Sequence, residues 1–235
     1  MSELEFLKPV IDETDVCPYL PEQIARMPLS ISNRRLNPQD LDTLLAHGYR
    51  RTGWFFYRTQ CPNCAACEPM RLEVEHFQTT RSQRRAEKMG DTYLETRIGP
   101  PQLDAQRIRM FDAHRVGRHL TSSKTPSTAS DYRSFLLNSH FEILEISLWL
   151  DEVLIGISIT DVGDSSLSAV YCFFDPAYAR YSLGTYAILK QIELARATDR
   201  RWLYLGLYVA DNEHLRYKAK FAPHERRIAN QWQAS

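Results

Sequence analysis

The chain has 235 residues, of which 43% are hydrophobic and 25% charged, and its 29 Lys and Arg balance 29 Asp and Glu. These proportions exclude disorder of the whole chain and allow a sizeable core. No apolar run approaches the roughly 20 residues of a membrane span. The acidic opening MSELEFLKPVIDETD lacks the apolar stretch of a secretory leader. Five cysteines are too few for a disulfide scaffold, and three of them fall close together, so a reducing, cytoplasmic setting is expected. The zero net charge hides an alternation: segments 34–88 (net +4) and 180–235 (net +5) are basic, and the two segments between and before them are acidic. A phosphate-bearing partner would be drawn to the basic segments if they meet in space.

Residues 9–36, with Pro9, Pro18, Pro21 and Pro28, read as irregular. Asn37-Pro38 reads as an N-cap followed by proline at the first helical position, and a helix from Gln39 to His47 should stop at Gly48. GWFFYR (53–58) is β-like. After the cysteines, RLEVEHF (71–77) alternates with period 2 and predicts a strand. A charged helix should start at Ser82 and end at Gly90. A strand is expected over 93–98, a helix over 103–120, a polar, mobile break over 122–130 and a short helix over 131–138. Strands are expected over 143–150, 153–161 and 168–174, joined by hairpin-like turns. A helix follows from Ser182, then an almost wholly apolar strand over 202–209, then a basic, partly helical tail. The order in the second half is β-β-β-α-β. The fold class is therefore α+β, compatible with a GCN5-related N-acetyltransferase-like catalytic domain over 91–235, preceded by a cysteine-containing region over 1–90.

Cys61-Pro-Asn-Cys64-Ala-Ala-Cys67 has two-residue spacers that let successive thiolates turn back onto one ion, and the spacing suits zinc and an iron–sulfur cluster equally. A closed site needs a fourth ligand. Cys17 is available, whereas Cys172 lies in an apolar strand. Asp175 follows a strand directly, where α/β layouts open onto a cleft. Tyr171 and Tyr204 carry phenols on the flanking strands. Ser182-Leu-Gly184-Thr185 is a strand-to-helix turn whose exposed N–H groups suit a phosphate or an oxyanion.

Taken together, Cys17-Pro-Tyr-Leu-Pro, GYRRTGWFFYRTQCPNCAACEPMRL (48–72) and SQRR (82–85) resemble the N-terminal half of the aminoacyl-tRNA–protein transferase family. SAVYCFFDP (168–176), SLGTYAILKQIELA (182–195), WLYLGLY (202–208) and RYKAKFAPHE (216–225) resemble its C-terminal half. Leu207 departs from the aromatic residue expected in that strand. The chain is most similar to the short bacterial branch. The resemblance implies transfer of leucine from Leu-tRNA to the N-terminal amine of proteins beginning with Asp or Glu, which marks them for degradation. Arginine is the alternative donor. It also implies an acetyltransferase-like fold and, at Cys17 and Cys61 with Cys64 and Cys67, an iron–sulfur cluster or zinc that the chemistry itself does not require.

An aminoacyl-tRNA is an activated ester, so the main task is to hold amine and carbonyl in attacking geometry. The amine, with a pKa near roughly 8, needs no strong base. The developing oxyanion needs N–H donors, expected in strand 168–174 or 202–208. Tyr171, Tyr204 and Asp175 are the candidates for proton handling. The acceptor carboxylate calls for cations, with Arg50, Arg51, Arg58, Arg216 and Lys218 available beside Ser182, Gly184 and Thr185. The tRNA calls for a basic track with aromatic stacking, for which Arg81, Arg84, Arg85, Lys220 and Tyr186 are candidates. An acetyl-CoA-dependent N-acyltransferase is disfavoured, because Arg180-Tyr-Ser-Leu-Gly184-Thr has one residue too many and one glycine too few for a pyrophosphate loop. A non-catalytic metal- or RNA-binding module would leave the apolar second half unexplained.

Overall fold

The computed structural model describes residues 4–121, 123 and 125–235. In chain order the elements are β1 (Leu7–Ile11), β2 (Thr14–Val16), β3 (Ile24–Arg26), β4 (Leu29–Ser32), α1 (Pro38–Ala46), β5 (Arg50–Thr52), β6 (Phe55–Tyr57), β7 (Glu68–Glu73), α2 (Arg81–Tyr93) and β8 (Leu94–Gly99). There follow α3 (Ala105–Gly117), α4 (Ala129–Tyr132) with a π-helical turn over Arg133–Leu137, β9 (Glu142–Leu150), β10 (Val153–Val162) and β11 (Ser166–Phe174). The chain ends with α5 (Leu183–Ala197), β12 (Trp202–Tyr208), a 3-10 turn over Arg216–Lys220, β13 (Glu225–Ile228) and β14 (Gln231–Ala234). Of the expected polar break over 122–130, Ser122 and Lys124 lie outside the described residues. Among the described residues no helix is long and apolar enough to cross a membrane.

Eight strands form one sheet in the order β14-β13-β7-β12-β11-β10-β9-β8, and β1-β4-β6-β5 form a smaller one. β11 and β12 are parallel, linked by α5, while their outer neighbours pair antiparallel, so the β-β-β-α-β order expected from the sequence holds. The strand β7 lies between β12 and β13, so residues from both ends of the chain complete the same sheet.

Successive strand residues point to opposite faces, and both faces are covered. On one, α5 seals Leu203, Leu205, Met70 and Leu72 with Ile188, Leu189 and Ile192, and α2 crosses α5. On the other, α3 and the α4 segment bury Ile157, Ile159 and Phe173 with Phe111, Tyr132 and Leu136, and α1 sets Leu41 and Leu45 against Tyr204. The α1 start follows from local chemistry: Asn37 accepts from the Asp40 amide at 2.9 Å, and Asp40 accepts from the Asn37 amide at 2.9 Å.

Several expectations need correcting. Residues 9–36 are not irregular but contain four short strands. The basic tail is not helical beyond a 3-10 turn, and its last residues form the β13–β14 hairpin. The strand expected over 71–77 starts at Glu68 and ends at Glu73, where the Val74 amide turns to the Arg201 carbonyl. The α2 helix does not stop at Gly90. It runs to Tyr93, and Gly90 is where the Tyr186 ring fits against it, since a Cβ there would collide with the ring.

Candidate active site

The centre of the sheet is forked. β11 and β12 pair only at Ser166↔Trp202, Leu167↔Leu203 and Ser168↔Tyr204, and beyond that point they run on unpaired to Phe174 and Tyr208. Each arm carries an extra residue near the fork. Val170 is left out of the β10–β11 register between Ala169 and Tyr171, and Leu205 is left out of the β12–β7 register between Tyr204 and Gly206. Such bulges bend strands and free backbone groups from the ladder. The parallel direction of β11 and β12 was expected from the sequence, and the opening between them was not.

Arg50, on β5, spans the fork. Its Nη2 donates to the Val170 carbonyl on one arm at 3.3 Å. On the other arm its guanidinium occupies the place where a side chain at residue 206 would begin. Gly206 has φ +80° and no Cβ, which any larger residue would drive into Arg50 Nη1. Two adjoining pockets share Arg50, Tyr49, Leu45 and Ser168. One extends to Asp161 and Val170, the other to Pro69, Tyr204 and Gly206. Lys218 reaches the same arm from the 3-10 turn, and its Nζ donates to the Leu207 carbonyl at 2.9 Å. Burial, and then the charge of Arg50, push this amine down to about 7. Among the described residues no carboxylate pairs with Arg50 or Lys218, so the fork holds cationic groups without a counter-charge. Tyr19 and Tyr57 stand near Arg50, and burial, then the neighbouring Tyr57, raises the Tyr19 phenol. Sequence reasoning missed both.

At the mouth of the fork Ser182 has φ +54° and caps α5 through its backbone alone. Gly184 faces the Phe174 ring and Tyr217 Oη, each 3.8 Å from where its Cβ would stand. Thr185 donates its amide to the Ser182 carbonyl at 2.9 Å. Arg118 lies nearby, its Nη2 donating to His214 Nδ1 at 2.6 Å, and its guanidinium rests over Phe174. Arg118 and His214 carried no sequence signal beyond residue type, because two separate segments, the end of α3 and the stretch after β12, deliver them.

Other candidates fall elsewhere. Arg51 is not open to a substrate. Its Nε donates to both oxygens of Asp161 at 2.9 and 2.7 Å, its Nη2 to Asp161 Oδ1 and the Leu136 carbonyl, and its Nη1 to the Asn138 carbonyl. Both side chains are only 2% exposed. Tyr186 is not a stacking platform. It is 1% exposed, and its hydroxyl donates to Asp91 at 2.9 Å. Tyr204 lines the fork, but its hydroxyl accepts from Arg71 at 3.1 Å, and Arg71 is held between Trp202 and Trp232. Tyr171 packs among Phe111, Phe135 and Phe173 beneath α3. Asp175 caps the turn after β11, accepting from the Ala177 amide at 2.9 Å. Arg58 lies over the Tyr49 ring, and Arg216 is exposed beside Glu213. Arg81, Arg84 and Arg85 are exposed on α2, and the Lys220 carbonyl accepts from the Gln83 side-chain amide of that helix at 3.0 Å. His114 is structural, its Nδ1 sitting 3.2 Å from both the amide and the carbonyl of Phe174.

The cysteines do gather. Cys67 is pushed up to about 12 by burial and then by neighbouring Cys17, Cys61 and Cys64. Yet among the described residues no three Cys, His, Asp or Glu side chains are arranged to hold a metal ion. Cys61 Sγ instead accepts from the Arg26 amide at 3.5 Å.

The fold is shared with a solved structure. The C-terminal domain of a lysylphosphatidylglycerol synthetase-type protein from Agrobacterium fabrum superposes with a TM-score of 0.51 at 15% identity, over 85% of this chain and 64% of that one, less than two thirds of its length. The family is shown by sequence. The arginine-tRNA-protein transferase N-terminus matches residues 15–85 and its C-terminus residues 106–228, and the chain belongs to this family. An aspartate/glutamate leucyltransferase of Aeromonas hydrophila is 36% identical over 232 residues, 99% of this chain and 97% of that protein. Proteins of the same name from Thiobacillus denitrificans and Vibrio cholerae are 33% identical over 218 residues (93% and 90% of the two chains) and 28% identical over 231 residues (98% of each).

Proposed function

We propose that this protein is an aminoacyl-tRNA–protein transferase that moves leucine from Leu-tRNA to the N-terminal amine of proteins beginning with Asp or Glu, marking them for N-end-rule degradation. Its full-length similarity to proteins named for that activity supports the reading. The observation that carries it at the site is Arg50, which spans the fork and, among the described residues, pairs with no carboxylate. The side-chain carboxylate of an N-terminal Asp or Glu would complete that charge, with Lys218 as the second cation.

In the reaction the α-amine attacks the ester carbonyl, the C–N bond forms, the C–O bond to the ribose breaks, and the proton lost by nitrogen ends on the ribose oxygen. The Val170 and Leu205 amides, both outside the ladder register, are the proposed donors to the oxyanion. The exposed arginines of α2 with Lys220 are the proposed tRNA track, and the α5 start at Ser182, Gly184 and Thr185 is proposed to hold the acceptor end. With charged tRNA and protein N-termini as substrates, the reaction belongs in the cytoplasm. No step uses a metal. A zinc ion or iron–sulfur cluster at Cys17, Cys61, Cys64 and Cys67 would require those thiols to draw together from their present spacing. The region over 1–90 is proposed to serve the acceptor, through Arg50, and 91–235 the acyl transfer.

The test is transfer of labelled amino acids from total charged tRNA onto peptides beginning with Asp, Glu, Ala or Lys. Leucine on the Asp and Glu peptides alone is expected. Arginine on the same peptides would keep the family and overturn the donor.

A further inference from the structure

The arginines along β7, β13 and the start of β12 are each matched with an acid: Arg71 with Glu225 at 2.7 Å, Arg226 with Glu68 at 2.9 Å, and Arg201 with Glu73 at 2.6 Å. Arg227, on β13, is the exception. Among the described residues it has no carboxylate partner. Its Nη1 donates to Asn230 Oδ1 at 2.8 Å, and its buried Nε has no hydrogen-bond partner at all. A buried donor left unpaired is costly, and this one faces a second unmatched cation. Arg58 lies close enough that its charge, after burial, helps lower the Arg227 guanidinium. Arg58 is held over the Tyr49 ring, 5.3 Å from its centroid. The approach of Arg227 depends on Gly48, at φ +81°. A Cβ there would stand 3.3 Å from Arg227 Cδ, 3.5 Å from its Nη1 and 3.2 Å from Pro69 Cγ. Pro69 and Tyr49 also line the fork pocket with Arg50 and Gly206. The two unmatched guanidinium groups therefore stand at its rim.

We propose that Arg58 and Arg227 form a second anion subsite that takes a side-chain carboxylate downstream of the acceptor's first residue. The enzyme would thus favour acidic residues at the second or third position of its substrate. The inference rests on the transferase reading. An acceptor peptide fits better than tRNA because of the neighbours involved. Arg58 and Arg227 stand against Tyr49, Gly48 and Pro69, beside the pocket that holds Arg50. The exposed arginines of the proposed tRNA track lie on another element, α2. Guanidinium pairs also suit the planar fork of a carboxylate.

The experiment measures kcat/KM for leucine transfer from Leu-tRNA onto peptides beginning Asp-Ala-Ala, Asp-Glu-Ala, Asp-Ala-Glu and Asp-Lys-Ala. An acidic second or third residue is expected to raise kcat/KM about five- to tenfold over Asp-Ala-Ala, with the ratio shrinking at high salt. In Arg227→Gln and Arg58→Gln the ratio should fall to about one, and Arg227→Lys should retain part of it. A ratio of one in the unmodified protein, or an unchanged ratio in both glutamine variants, overturns the subsite. So does weakened tRNA binding in Arg227→Gln with the ratio intact, which would make it a phosphate contact. Absence of transfer onto every peptide would instead overturn the transferase reading, and this proposal with it.

Discussion

The guanidinium of Arg50 stands where a side chain on Gly206 would have to begin. One arm of the fork is thus cut away by a glycine at φ +80°, and the other receives the Arg50 hydrogen bond at Val170. Two separate parts of the sequence, 48–53 and 202–208, are shaped to each other at this point.

The first prediction concerns that pair. Arg50→Ala should lower kcat/KM onto Asp- and Glu-initiated peptides by about a hundredfold, the equivalent of about 2.7 kcal/mol, with little change in tRNA affinity. Gly206→Ala should reproduce much of the loss by displacing Arg50, and the left-handed backbone would add about 1–2 kcal/mol of destabilisation. Steady-state transfer kinetics with parallel tRNA filter binding would check both. An equal loss of tRNA binding would refute the role.

Arg51 behaves oppositely. Removing it leaves the buried Asp161 carboxylate unpaired, which typically costs about 3–5 kcal/mol. Arg51→Ala should therefore appear as lost stability in urea unfolding, and any residual folded protein should retain its preference for acidic acceptors.

Two groups give the stability curve a pH signature. His114 is lowered to about 4, by burial first and then by Arg118. The unfolded chain, with an ordinary imidazole near about 6.5, binds more protons than the native state between those values. Stability is therefore full above about 6.5 and is lost as pH falls through 4. Lys218 at about 7 works over a higher window. Its burial penalty is complete below 7 and is relieved as pH rises toward the ordinary lysine value, about 10.4. Lys218→Met should flatten the rise between 7 and about 10 in urea unfolding series, and His114→Gln the acid fall.

Lys218 also predicts proton uptake. A substrate carboxylate beside it favours the charged amine, so binding of an Asp-initiated peptide near pH 8 should draw protons from solution. Calorimetry in two buffers of different ionisation enthalpy would detect this, and Lys218→Met should abolish it. Identical heats in both buffers for the unmodified protein would contradict the placement of the carboxylate.

Gly90→Ala should destabilise the protein by about 1–3 kcal/mol, because the added methyl meets the fully buried Tyr186 ring where α2 crosses α5. Thermal unfolding checks this, and Gly99→Ala, with nothing within 4 Å, is the control.

Where the determining chemistry is local, the sequence was readable. Asn37-Pro38 marks the start of α1 by capping alone, and the strands β9, β10 and β11 announce themselves by apolar runs and tight turns. The four strands within 9–36 were missed because they are three to five residues long, largely exposed and interrupted by prolines. The β13–β14 hairpin was missed because its partner, β7, lies about 150 positions away, as the pairing of Glu225 with Arg71 illustrates. The site shows the same limit. Arg50 and Arg51 are neighbours in a three-residue strand and point to opposite sides, one into the fork and one to Asp161, 110 positions downstream. Residue type marked both, and only the fold tells them apart.

The position of β7 has a consequence for synthesis. On a ribosome it emerges well before both its neighbours, β12 and β13. Until β12 appears, β7 has neither edge to join and the fork has only one arm, so the nascent chain has no assembled site at which to accept an aminoacyl ester. A fragment comprising 91–235 would likewise expose β12 as a bare edge where β7 belongs, open to pairing with other molecules. Activity in this sense waits on the synthesis of β12, long after β7 has left the ribosome.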